Sequence, residues 1–175
     1  MKKIATIFER DWDGDRSRVL DVPTPGCEWV FAGEGVATRK YDGTACLVRD
    51  GNLFRRHEVR EGKETPEGFE RVEDDLGTGK TVGWVLVGHG PEDKWYRDAL
   101  VRRGLAVLSD GTYELVGPKI QKNPEGYVEH SLIPHDGAER LYDAPRDFEG
   151  LAAFLATAGI EGIVWHHPDG RMAKI

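Results

Sequence analysis

Cysteine is nearly absent from this chain: Cys27 and Cys46 are the only two in 175 residues, and they do not have CxxC spacing. Neither a disulfide framework nor a structural zinc site follows from such a pair, so two buried, reduced thiols are expected. Long apolar runs are missing too. No stretch approaches the roughly 18 residues of a membrane span, and the opening MKKIATIFERD has a basic start without the apolar core of a secretory signal. These absences point to a soluble protein of the cytoplasm with no membrane partner. Positive charge is also in short supply. The 24 Lys and Arg set against 31 Asp and Glu leave a net charge of −7, which excludes a protein that coats nucleic acid through many phosphate contacts. A compact basic site on an acidic body remains compatible with that balance. No internal repeat is present.

With 39% hydrophobic residues, the chain can bury the core of a single domain spanning 1–175. Short apolar or alternating segments, KIATIF, CEWVFAG, ACLVR, NLFRRHEV, GWVLVG, TYELVG and GIVWHH, read as strands separated by Gly, Asp, Asn and Pro. ACLVRDGNLFRRHEV reads as a hairpin turning on Asp50-Gly51, a pair suited to positive φ. Two helices are predicted. PEDKWYRDALVRRG carries Trp95, Ala99 and Leu100 at helical spacing, with Gly104 as its stop. DFEGLAAFLATAG has Asp147 as N-cap and Gly159 as its end. The interval EGKETPEGFERVEDDLGTGK reads as an acidic surface loop. The fold class expected is α+β, mostly antiparallel.

Chemistry is best sought at TRKYDGTACLV, where Lys40 precedes an Asp42-Gly43 turn that runs into a buried hairpin. Backbone geometry holds such a lysine in place, as a nucleophile requires. Glu114 stands inside the apolar strand TYELVG and Glu161 precedes GIVWHH; an embedded carboxylate is costly unless it meets a hydroxyl, a metal or a cation. Other patterns fail on spacing. LGTGKT has Asp74 where a phosphate-binding loop needs its first glycine, and DWDGD has Arg16 where a calcium loop needs glycine, so it reads as a hairpin turn. His166 and His167, adjacent on a strand, point to opposite faces, one exposed and one packed.

The ordered set KYDG, RRH, YELVGPK, EGIV and a final lysine resembles motifs I, Ia, III, IV and V of the covalent nucleotidyltransferases, which comprise ATP-dependent DNA and RNA ligases and mRNA capping enzymes. ATRKYDGTA, TYELVGPKIQKNPEG and EGIVWHHPDGRMAKI are similar to the RNA ligase branch in particular, and the resemblance runs from about Val36 to the last residue. It implies a nucleotidyltransferase fold, two mainly antiparallel sheets with flanking helices around an ATP cleft. It also implies an ATP-dependent RNA ligase, of use in RNA repair, that joins 5′-phosphate and 3′-hydroxyl ends through a lysine-AMP intermediate. On this resemblance Lys40 is the nucleophile, and it must attack as the neutral amine. Lys174 and Mg²⁺ or Mn²⁺ would favour that form and neutralise phosphate charge. Arg39, Asp42 and Gly43 would line the nucleotide, with adenine read by main-chain groups around Arg39. Arg56, or less readily Arg55, would contact the nucleotide or the incoming 5′-phosphate. Glu114 would hold the ribose or shape the pocket, and Glu161 would act at the metal. Arg102, Arg103, Lys119 and Lys122 would meet the RNA backbone or the outer phosphates. The family pattern departs in two respects: motif V usually has a second lysine, and full ligases usually append a domain such as an OB-fold, so a partner protein supplying that grip is an expectation. Alternatives sharing the first step are a DNA ligase or capping-type core; a nonenzymatic nucleotide or RNA-end binding module is a third.

Overall fold

Arg49 pairs with Asn52 across Asp50 and Gly51, whose φ angles of 51° and 69° are both positive, the geometry the Asp-Gly pair predicts for a two-residue turn. In the computed structural model, which describes residues 2–75, 78–104 and 107–175 with the side chain of Arg103 excepted, this hairpin lies at the centre of one of two compact units.

The first unit comprises residues 2–3 and Asp42–Gly137. Its strands are β5 (Thr44–Arg49), β6 (Asn52–Arg60), β7 (Glu70–Asp75), β8 (Lys80–Leu86), β9 (Gly111–Val116) and β10 (Ser131–Pro134), together with helix α2 (Lys94–Arg103). They form a six-stranded antiparallel sheet in the order β10-β9-β5-β6-β8-β7. Cys46, Val48, Leu53, Tyr113, Leu115 and Leu132 pack with Tyr96 and Ala99 of α2 as its core. The second unit comprises Ile4–Tyr41 and Ala138–Ile175. It holds β1 (Ala5–Thr6), β2 (Phe8–Arg10), β3 (Val19–Pro23), α1 (Glu28–Phe31), β4 (Val36–Lys40), α3 (Phe148–Ala158), β11 (Gly162–His166) and β12 (Met172–Lys174). Its main sheet runs β1-β12-β11-β4, with β1 and β12 parallel and the other pairs antiparallel. Ile7, Trp29, Val30, Leu151, Ile163 and Trp165 fill its core. The chain is therefore mixed α+β and largely antiparallel.

The helix ends follow their residues. The Asp147 carboxylate accepts the Gly150 N–H at 2.8 Å at the start of α3, and Gly159 closes it at φ 63°. A 3-10 turn at Pro91–Asp93 leads into α2, and Gly104 follows it at φ 76°. Both cysteines are buried and free. DWDGD does form the turn between β2 and β3, where the Asp11 carboxylate accepts the Gly14 N–H.

Two expectations need correction. CEWVFAG is not a strand: Glu28–Phe31 form one helical turn that buries Trp29 and Val30, a short apolar run being unable to declare its period. The acidic interval is not all loop, since Glu70–Asp75 forms edge strand β7 against β8. Cations offset its charge: Arg49 reaches Glu70 at 2.7 Å, and Lys3 reaches Asp75 at 2.9 Å. A charged edge also resists stray pairing. LGTGKT lies in part, at Leu76 and Gly77, outside the described residues. Among the described residues no helix is long and apolar enough to cross a membrane.

Candidate active site

Residues directly opposed across an antiparallel pair share a face, and their chain neighbours take the other. Lys40 opposes Gly162, Thr38 opposes Val164, and Val164 opposes Lys174. Lys40 and Lys174 therefore issue from one face of the second unit's sheet. The opposite face, carrying Ala37, Ile163, Trp165 and Ala173, is the buried one. Glu161, immediately before β11, forms an ion pair with Lys40 while both side chains stay partly exposed, at 34% and 24%. A Cβ on Gly162 would collide with the Ile175 carbonyl oxygen and stand 3.5 Å from Lys40 Cδ, so only glycine lets the chain close there beneath the lysine stem. Lys174 is held by its backbone, its carbonyl accepting the Ile7 N–H at 2.8 Å.

Arg39 behaves differently from its neighbour. Its guanidinium lies over the Tyr41 ring, 4.9 Å from the centroid, and 3.6 Å from Glu139. Its N–H donates to the Glu139 carbonyl at 2.8 Å, so a base read by main chain here would have to use other groups. Thr38 donates to the Val164 carbonyl at 3.2 Å and meets His166 Nε2 at 3.0 Å. His167 bonds instead to Glu34 at 2.7 Å. The two histidines diverge as a strand requires, yet both are half-buried, against the expected split into one exposed and one packed.

The first unit holds the other residues singled out in the sequence. The Asp42 N–H donates to Glu125 Oε1 at 2.9 Å, and Gln121 Nε2 lies 3.4 Å from the Gly43 carbonyl. These two acceptor and donor side chains come from a loop in which Gln121, Lys122 and Asn123 all have positive φ, at 45°, 64° and 59°. Three consecutive non-glycine residues in that region carry strain of about 1 kcal/mol each. A Cβ on Gly43 would strike the Leu115 carbonyl oxygen and stand 2.8 Å from Glu114 Cγ; the glycine of KYDG thus admits the glutamate of YELV.

Glu114 sits mid-strand with its side chain 13% exposed. Its Oε2 lies 3.0 Å from His135 Nε2, and His135 Nδ1 lies 2.9 Å from Thr112 Oγ1. The neighbouring arginines of β6 point apart. Arg55 opposes Cys46, and Cys46 opposes Tyr113, so Arg55 shares the core face beneath α2, 2.7 Å from the buried Asp93. Arg56 consequently shares the face of Glu114, partly exposed and 3.8 Å from Glu58. Burial, reinforced by the Arg55 charge, holds the His57 imidazole below its ordinary value. Burial pushes the Cys46 thiol well up, which leaves it unreactive. Arg102 pairs with Glu129 at 2.6 Å; Lys119 and Lys122 are exposed, and the Arg103 side chain lies outside the described residues. Sequence reasoning missed His135, Glu125 and Gln121. Each is an ordinary polar residue until register or a loop conformation brings it to a motif.

Among the described residues no group of three or more His, Cys, Asp or Glu could hold a metal ion. Glu161 offers a lone carboxylate, which suits Mg²⁺ arriving with phosphates and water better than a resident ion.

No protein-family model matches the chain. RNA ligase 1 of Danio rerio is 36% identical over 110 residues, 58% of this chain and 32% of that protein. RNA ligase 1 of Pongo abelii and of Rattus norvegicus are 33% and 32% identical over 100 residues, 52% of this chain and 30% of each. The similarity supports kinship with an RNA ligase family. The matched segment spans about a third of the length of these relatives.

Proposed function

We propose that this chain is the nucleotidyltransferase-fold core of an ATP-dependent RNA ligase. The observation that carries the reading is the emergence of Lys40 and Lys174 from one sheet face with Glu161 closed on Lys40, in a chain similar to proteins named RNA ligase 1. Lys40 Nζ attacks the α-phosphorus of ATP: a P–N bond forms, the bond to the β-phosphate oxygen breaks, and pyrophosphate leaves. The ion-paired ammonium is not nucleophilic, so Glu161 must release it and a proton must depart before attack. Lys174 offsets charge on the α-phosphate oxygens, and Arg56 and Glu114 engage the nucleotide. Glu161 would hold Mg²⁺ or Mn²⁺, which when bound offsets charge on the phosphates. An RNA 5′-phosphate oxygen then takes AMP from Lys40, breaking the P–N bond. Attack by a 3′-hydroxyl on that 5′-phosphorus joins the ends and expels AMP.

Incubation with ATP and Mg²⁺ followed by intact-mass measurement should show one added AMP that survives denaturation and is lost in Lys40→Ala. Nicked RNA, nicked DNA and single-stranded RNA offered to the adduct then test the polynucleotide. Sealing of nicked DNA alone, or transfer of GMP in place of AMP, would overturn the RNA ligase reading.

A further inference from the structure

Glu114 is a largely buried carboxylate on β9 whose side-chain partner is His135, the residue that follows β10. Ile133 of β10 opposes Glu114, and the ladder continues through the His135 N–H to the Thr112 carbonyl at 3.0 Å. This register brings the His135 ring between two side chains of the same β9 face, Thr112 and Glu114. A carboxylate only accepts, so His135 Nε2 carries the hydrogen toward Glu114 Oε2. In the neutral ring Nδ1 is then an acceptor, filled by the Thr112 hydroxyl hydrogen. The chain from Thr112 through His135 to Glu114 fixes the tautomer and occupies Oε2. The other oxygen, Oε1, is turned toward Gly43, 3.1 Å from where a Cβ on that residue would stand.

We propose that His135 is a positioning residue that, supported by Thr112, aims Glu114 Oε1 at a ribose hydroxyl of the nucleotide and so sets the preference for ATP over deoxy-ATP. The inference rests on the ligase reading and on Glu114 as the ribose contact. Without His135 the carboxylate swings between rotamers, and the oriented acceptor that distinguishes a ribose from a deoxyribose is lost. A site built to bond a hydroxyl rejects the analogue that lacks it, and that rejection depends on holding the bonding group in place.

The test measures single-turnover formation of the lysine adduct, and binding by calorimetry, with ATP, 2′-deoxy-ATP and 3′-deoxy-ATP. The unmodified chain should prefer ATP to one of the deoxy forms. His135→Ala should lose about tenfold with ATP and less than about twofold with that deoxy form. His135→Gln, whose amide can donate to Glu114, should recover most of the preference. A role in stability alone would weaken all nucleotides alike. Glu114→Ala separates the possible failures. If it abolishes the preference and His135→Ala does not, the inference is wrong and the ribose role of Glu114 stands. Equal binding of ATP and both deoxy forms by the unmodified chain also overturns the inference, whether or not an adduct forms. Absence of any adduct, with the binding preference intact and dependent on His135, overturns the ligase chemistry and upholds the positioning role. Nitrogen-15 resonances of the ring should report an Nε2-protonated tautomer that is lost in Thr112→Val.

Discussion

Lys40 and Gly162 face each other across β4 and β11, and they should respond to substitution in opposite ways. Lys40→Ala removes a partly exposed ion pair, which is worth at most about 1 kcal/mol. Its thermal unfolding should therefore barely move while adduct formation disappears. Lys40→Arg should fail as well, because guanidinium remains protonated and is a poor nucleophile. Gly162→Ala is the reverse case. Its Cβ meets a backbone oxygen of Ile175, which a side-chain rotation cannot relieve. A loss of about 1–3 kcal/mol is expected, read as a lowered melting temperature and slower adduct formation from a displaced lysine. An unchanged melt would mean that the chain end gives way freely. Lys174→Ala should slow adduct formation by up to about 100-fold, as for loss of one oriented group at a developing oxyanion.

At the scale of elements, helix α2 packs on the residue leading into β10 through the stacked rings of Trp95 and His130, with centroids 4.7 Å apart. Burial is the main cause holding His130 below its ordinary value; Asp98 opposes this, while Arg102 and Lys94 add to it. A histidine whose folded value is depressed contributes stability that is fully present above its unfolded value, near 6.5. That contribution is lost as pH falls through and below it, because the unfolded chain takes up the proton more readily. His57 shifts in the same direction. Denaturant titrations from pH 7.5 to pH 5 should show declining stability, with a shallower decline in His130→Gln. A slope that does not change in that variant would remove His130 as a cause. The loop after β9 is another such element: its left-handed run, Gln121–Asn123, brings the Gln121 amide to the Gly43 carbonyl, and Glu125 just beyond that run accepts the Asp42 N–H.

For the whole molecule, the proposed ligase reading combined with a net charge of −7 predicts that RNA is gripped through few phosphates. The exposed Lys119 and Lys122 are the candidates. Each phosphate contact to a single strand contributes about 0.7 to the slope of log affinity against log salt. Replacing both lysines with alanine should lower the slope by about 1.4 in titrations of labelled RNA between 50 and 200 mM salt. An unchanged slope would exclude them from the RNA path.

The Asp50-Gly51 turn, the ends of α3 and the α+β class follow from local chemistry: which residues tolerate positive φ, which cap a helix, and which alternate in a strand. The same logic separates Arg55 from Arg56, since strand neighbours cannot share a face, but only the pairing of Arg55 with Cys46 decided which of them lies with Glu114. Tertiary structure alone decided the rest. CEWVFAG became a helical turn that buries Trp29 and Val30, and ERVEDD became an edge strand on β8 with Arg49 and Lys3 meeting its charges. His135 reached Glu114, and Glu161 reached Lys40, through registers linking residues 21 and 121 positions apart in the chain. Such registers are set by the packing of whole strand faces, so no local stretch of sequence contains them.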